Sequence, residues 1–201
     1  MKTDIAPVDA PIDAHVAAPG TGGVPPLRVL VLNSVLTGGG VDSHTLSLCR
    51  ALVAQGLDVR LAMPTASRWL ERAQAIEGLQ LIVIGVRRLW WPVIIARHLR
   101  HDRVQVVHAH HGRDYWLAIA AAWLAGRGTR VVVTRHLMNA MKAKTRRYLA
   151  PTATVVAVSD AVAHALAQDD PQRTLRVRRI HCAIDTAEFR PDAAARERMR
   201  A

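Results

Sequence analysis

Short β-branched runs alternate with longer stretches of helical period along most of this chain, and that alternation limits the folds open to it. The runs cover 27–33, 57–63, 79–84, 104–108, 130–134, 154–158 and 176–180. Helical patterns fill the gaps at about 41–56, 66–77, 90–102, 114–126, 139–149 and 160–168. Several runs are near-continuously apolar, which suits strands covered on both faces. Six strand–helix alternations predict a parallel sheet with crossover helices. The expected fold class is α/β, a single Rossmann-like, doubly wound domain over 27–185. The first helix shows the logic: Leu46, Cys49, Leu52 and Val53 fall on one face. Gly56 stands just past its last turn, where a left-handed cap is needed.

With half of 201 residues hydrophobic, the chain can bury a core without disulfides or metals. Cys49 and Cys182 are too few for a disulfide scaffold and wrongly spaced for zinc. A reducing compartment is expected, namely the cytoplasm. No run of 18 apolar residues exists, so no membrane-spanning helix is expected. Residues 1–26 hold five of the ten prolines and show no periodicity, which reads as a flexible tail. One Lys, three Asp and no apolar core segment exclude a signal peptide there. The formal net charge of +11 leaves nucleic acid, anionic lipid and phosphorylated substrates open as partners.

Polar residues gather where strands are expected to end. Gly38, Gly39 and Gly40 lie between the first strand and the first helix. There, backbone N–H groups and the helix dipole favour an anion. The spacing is neither a dinucleotide fingerprint nor a Walker loop, and a tight turn needing glycine explains it equally. The fourth strand ends in Val106-Val107-His108-Ala109-His110-His111-Gly112. Strand alternation puts His108 and His110 on one face and His111 on the other. His110 or His111 could bond a substrate hydroxyl or phosphate, or be packed strand-end histidines. A metal on His-x-His lacks support from any Cys or carboxylate cluster, so no metal site is expected. Arg135 and His136 end the fifth strand, where Arg135 could meet a phosphate or an acidic acceptor. Ser159-Asp160 reads as a helix N-cap.

The segment from Arg87 to Arg100 joins Trp90 and Trp91 to Arg87, Arg88, Arg97 and Arg100. Such a segment packs on the sheet with a solvated basic end, or touches a lipid surface. A second basic stretch, 141–148, reads as a solvated face or an extension of the same positive surface.

The order of these pieces resembles the N-terminal domain of family 4 glycosyltransferases. The resemblance rests on the Gly38–Gly40 loop with Val41-Asp42, Gly56-Leu57-Asp58-Val59, and Val106 to His111. It continues through Val131 to His136, Val155 to Asp160, and Ile180 to Pro191. It covers about 27–191 and implies half of a two-domain GT-B fold. It implies transfer of a sugar from a nucleotide-sugar donor to an acceptor, with retention. No cofactor and no metal are implied, the nucleotide sugar being a substrate. The glycine loop would approach the donor diphosphate, and His110 would sit near the transferred sugar. His111, Arg135 and His136 would then be candidate substrate contacts. A glycan- or lipid-linked acceptor at the cytoplasmic membrane face is implied, which suits the basic, Trp-bearing segment.

Three departures from the family pattern stand out. Asp42 replaces the usual Glu, Cys182-Ala183 replaces the usual Asn-Gly, and the donor domain with its paired glutamates is expected to be missing. An Ala at a positive-φ position would strain the backbone there. Residues 186–201 read as the start of an interdomain linker. The expectation is therefore little or no turnover by this chain alone, unless a separate donor-domain chain completes the cleft. The competing readings are a non-catalytic binding or remnant domain of the same fold and, with less support, a basic nucleic-acid-binding domain. The last lacks any recognisable motif and has few aromatics, so no nucleic-acid partner is expected.

Overall fold

The computed structural model describes residues 25–36, 38–85, 88–126, 128–184, 186 and 190–200. Residues 1–24 of the tail expected over 1–26, Arg87, and the side chain of Arg88 lie outside the described residues.

Seven strands form one parallel sheet in the order β3-β2-β1-β4-β5-β6-β7. They are β1 Arg28–Leu32, β2 Asp58–Pro64, β3 Gln80–Ile84, β4 Val106–Ala109, β5 Arg130–Arg135, β6 Ala153–Ala157 and β7 Arg176–Arg179. Each coincides with an expected run. The helices are α1 Gly40–Ala54, α2 Leu70–Gln74, α3 Trp91–His101, α4 Tyr115–Ala125, α5 Ala143–Leu149, α6 Asp160–Asp169 and α7 Ala193–Arg198. The order reverses at β1, which pairs with β2 on one side and β4 on the other.

Strand alternation builds two cores. Leu30 and Leu32 of β1 pack with α3 and α4 through Ile95, Leu99, Leu117 and Ala121. Val29 and Val31 point the other way, onto Leu46 and Cys49 of α1 and Ala73 of α2. Helices therefore cover both faces, as the apolar runs required. Leu52 and Val53 join the α1 face as expected, and Gly56 takes φ 77 just past the helix end. Ser159 caps α6, accepting from the Val162 N–H at 3.2 Å.

The helical patterns overestimate two elements. The pattern over 66–77 yields only Leu70–Gln74, because Ser67 is engaged elsewhere. Its hydroxyl donates to Leu36 O (3.0 Å) and accepts from the Trp69 N–H (3.1 Å), holding a turn in place of helix. The helix expected from 139 begins at Ala143, since the Met141 N–H is taken by the Asp169 carboxylate at 2.5 Å. A helix at Ala193–Arg198 falls within the stretch read as linker. The strain anticipated at Ala183 is also missing. Among the described residues the positive-φ non-glycines are Leu36, Arg103 and Arg173.

Candidate functional site

Because β1, β4 and β5 are neighbours, the loops at their carboxyl ends share one rim of the sheet. At a topological switch point this rim is where an open α/β sheet takes its ligand.

Asn33 organises the first loop. Its side-chain amide is fully buried; Oδ1 accepts from the Val35 and Leu36 N–H groups, each at 3.1 Å. Nδ2 donates to Asp42 Oδ1 (2.9 Å) and Thr45 Oγ1 (3.1 Å), tying the loop to α1. Gly38 and Gly39 take φ 114 and 148, conformations that only glycine adopts readily, and Gly40 starts the helix. The Gly38 N–H donates to Asp42 Oδ2 at 2.7 Å, so that amide is already engaged. The guanidinium of Arg68 lies where a Gly38 Cβ would stand. A Gly38→Ala substitution is therefore expected to cost about 1–3 kcal/mol in strain and to push Arg68 off the loop, read by urea denaturation.

Asp42 links this loop to the next. It is buried, and its Oδ1 also accepts from His111 Nε2 at 3.1 Å. Burial alone would raise its pKa, but bonds from Asn33, His111 and Gly38 outweigh this and hold the carboxyl below its usual range. Asp114 bridges back: the Ser34 N–H donates to its Oδ2 at 2.9 Å, and the Ser34 hydroxyl donates to its Oδ1.

The remaining histidines form a cluster. His110 is buried, with His108 tilted against it at 4.4 Å between ring centroids. The two share a face, as strand alternation requires. His44 of α1 stands edge-on to His110 (5.5 Å) and to His136 (5.1 Å). His108 Nε2 is bonded to Thr134 Oγ1 at 2.7 Å. Burial lowers the pKa of each ring, and neighbouring imidazoles add to the effect for His108, His110 and His136. His108 and His136 fall to about 4. At neutral pH the cluster is therefore uncharged. Arg135 turns to its own loop, donating to Asn139 Oδ1 at 2.6 Å.

The rim thus brings together Gly38, Gly39, Gly40, His110, His111 and His136. Sequence reading missed His44 and Arg68. His44 lies one turn past Gly40, where a helix after a strand-end loop stays near the rim. Arg68 follows β2 and becomes part of the loop only through the fold.

Residues 38–188 match the model of Glycosyltransferase Family 4. The chain belongs to glycosyltransferase family 4. No curated protein matches it by sequence. Among solved structures it is similar to a glycosyltransferase from Rickettsia africae (16% identity, TM-score 0.70), covering 88% of this chain and 50% of that one. It is similar to HepE from Anabaena, solved in complex with UDP and glucose (13% identity, TM-score 0.68, 87% and 49% covered). Sucrose-phosphate synthase from Thermosynechococcus elongatus also matches (17% identity, TM-score 0.59, 87% and 53% covered). At these identities the likeness shows the fold, that of one half of a GT-B glycosyltransferase. The family 4 chain spans about half the length of the solved structures it matches.

Within this family 4 domain the basic, Trp-bearing segment divides. Trp91 is 1% exposed and its indole N–H donates to Gly85 O at 2.9 Å, so it anchors the core and is removed from the surface candidates. Trp90 is exposed, as are Arg97 and Arg100. Leu89 and Val93 nearby in the sequence and Trp116 and Trp123 of α4 are exposed as well. No described helix is long and apolar enough to cross a membrane.

Proposed function

We propose that the chain forms the acceptor-side wall of a transferase that moves a sugar from a nucleotide-sugar donor to a glycan- or lipid-linked acceptor. The observation that carries this reading is the family match, coupled to a rim that sets a glycine loop beside uncharged histidines. The solved complex of HepE with UDP and glucose supports a nucleotide-sugar ligand for this fold. Retention at the anomeric carbon and independence from cofactors follow from the family resemblance.

In this reading the glycine loop and the α1 N-terminus face the donor diphosphate, with Gly39 and Gly40 as its amide donors and Arg68 as a nearby cation. As the sugar–phosphate bond breaks, negative charge grows on the diphosphate, and these groups offset it. His110 contacts the transferred sugar. Its buried ring nitrogens have no partner among the described residues, so a sugar hydroxyl would supply one. His44 and His136 cover it and must turn aside for that contact. His111 lines the acceptor side, and Arg135 would join it on turning away from Asn139.

A cleft of this type needs two walls to hold the donor and exclude water. Residues 1–201 by themselves are therefore expected to turn over little, and a donor domain with its paired glutamates, in the same polypeptide or in a second chain, completes the cleft. In such a two-domain enzyme, His110→Ala is expected to lower turnover by more than about tenfold, a loss of roughly 1.4 kcal/mol of transition-state stabilisation. Steady-state kinetics with a panel of nucleotide sugars read the effect, and unchanged kcat would remove His110 from its role.

The exposed Trp90, Trp116 and Trp123, with the exposed Arg97 and Arg100, favour a peripheral position on the anionic cytoplasmic face of a membrane. The expected result is co-sedimentation with phosphatidylglycerol-containing vesicles. The Trp90→Ala/Trp123→Ala double variant should lose most of it, and high salt should weaken it. Equal binding to neutral vesicles, or none, counts against this placement.

A further inference from the structure

One ring nitrogen each from His44, His110 and His136 lie within 4.8 Å of one another. The three residues come from different elements: α1, the end of β4 and the end of β5. Both nitrogens of His110 and Nε2 of His136 are buried without a hydrogen-bond partner among the described residues. The edge-on packing of the rings leaves these nitrogens, one lone pair and one N–H on His110 among them, without a partner. We propose that His44, His110 and His136 bind one divalent transition-metal ion of the zinc class.

The geometry needs little adjustment. Metal–nitrogen bonds of about 2.0–2.1 Å place tetrahedral ligand atoms roughly 3.3 Å apart. Side-chain rotations of the half-buried His44 and His136 can close the remaining gap, while His110 stays fixed. His108 supports it from behind, its own Nε2 occupied by Thr134. Three neutral imidazoles with no carboxylate suit Zn²⁺, Co²⁺, Ni²⁺ or Cu²⁺ and give no grip on Mg²⁺ or Ca²⁺. Burial holds all three rings below their usual pKa, so no proton needs to be expelled at neutral pH. His44 and His136 are only partly buried, which gives an ion a path from solvent and leaves the fourth position to water.

The site rests on the convergence of the rings and not on the transferase reading. Where both hold, an ion on His110 and a sugar against His110 exclude one another, and metal would inhibit turnover.

Co²⁺ titration of the metal-free chain tests the site without any activity assay. The expected result is one Co²⁺ per chain with the intense visible bands of four-coordinate nitrogen ligation. Zn²⁺ should displace it and Mg²⁺ should not. His44→Gln and His136→Gln should each weaken binding by more than the roughly 10–100-fold cost of a lost outer-shell partner. His98 and His101, which flank Asp102 on another surface, are the control. The H98Q/H101Q variant should bind Co²⁺ as before. Only weak, six-coordinate bands, or bands lost in H98Q/H101Q and kept in H44Q and H136Q, would overturn the proposal. Ring ¹⁵N shifts of the unsubstituted chain on adding Zn²⁺ need no variant to fold. They should move at residues 44, 110 and 136, and unmoved signals overturn the proposal equally.

Discussion

Acidifying the metal-free chain from pH 7 to pH 5 is expected to remove a large part of its folding stability, before any carboxylate titrates. In the native state His108 and His136 have pKa values of about 4, held down first by burial and then by neighbouring imidazoles. His110 lies well below its usual value, and His44 is lowered by burial alone. In the unfolded chain each titrates near its ordinary value of about 6.5. Above that value both states are neutral and the stability is complete. Below it the unfolded chain takes up protons that the native chain refuses, so stability falls as pH falls. His108 and His136 together account for about 2–3 kcal/mol by pH 5, after a discount for the part-exposed His136, against the 5–15 kcal/mol typical of a domain. Asp42 and Asp102 act later, because their native pKa values lie below the usual carboxylate range. Urea denaturation at pH 7, 6 and 5 in the presence of a chelator reads the effect. A midpoint that stays level across that range would mean the rings are not buried as neutral imidazoles. A bound divalent ion should oppose the loss, since it stabilises only the folded chain.

The second large effect is expected at Asn33. Its amide makes four hydrogen bonds, two from backbone N–H groups and two to side chains of α1. Asn33→Ala removes all four and leaves a void and an under-satisfied carboxylate at Asp42. At about 0.5 kcal/mol net per bond, plus about 1–2 kcal/mol for the buried groups left unpaired, the loss is about 3–4 kcal/mol. That lowers the Tm by roughly 6–16 °C for a domain of this size. Asn33→Asp separates geometry from charge. It keeps the acceptor for Val35 and Leu36 but sets a second carboxylate against Asp42, so it should be at least as damaging. A Tm within a degree or two of the parent for Asn33→Ala would show that the loop is not held this way.

The fold was legible because apolar periodicity is a local property that the sheet simply reads out. All seven strands stand where β-branched runs predict them. The errors fall where one side chain competes with the helix pattern. Ser67 turns a helical pattern into a bonded turn, and Asp169 captures the Met141 N–H from a distant helix. Neither partner is visible from the local sequence. The site was legible in part for the same reason. His108, His110, Arg135 and His136 announce themselves at strand ends. His44 and Arg68 belong to other elements, and only the strand order β2-β1-β4-β5 brings them to the same rim. Trp91 was misjudged because its hydrogen bond to Gly85 O makes a buried indole of a residue that the sequence pairs with an exposed one. A metal on His-x-His was set aside because no Cys or carboxylate cluster stood with it; the rings that converge are instead His44, His110 and His136, each from a different element.

The central place of β1 has a kinetic consequence. During synthesis β1, β2 and β3 can pair as soon as they emerge, but the other edge of β1 waits for Val106–Ala109 of β4. For some 70 residues of elongation, between Arg28–Leu32 and Val106, a strand apolar from Val29 to Leu32 presents an unpaired edge. At roughly 5–20 residues per second that interval lasts several seconds, long enough for the open edge to meet other chains. The arrival of β4 is therefore expected to be the step that separates productive folding from aggregation of nascent chains.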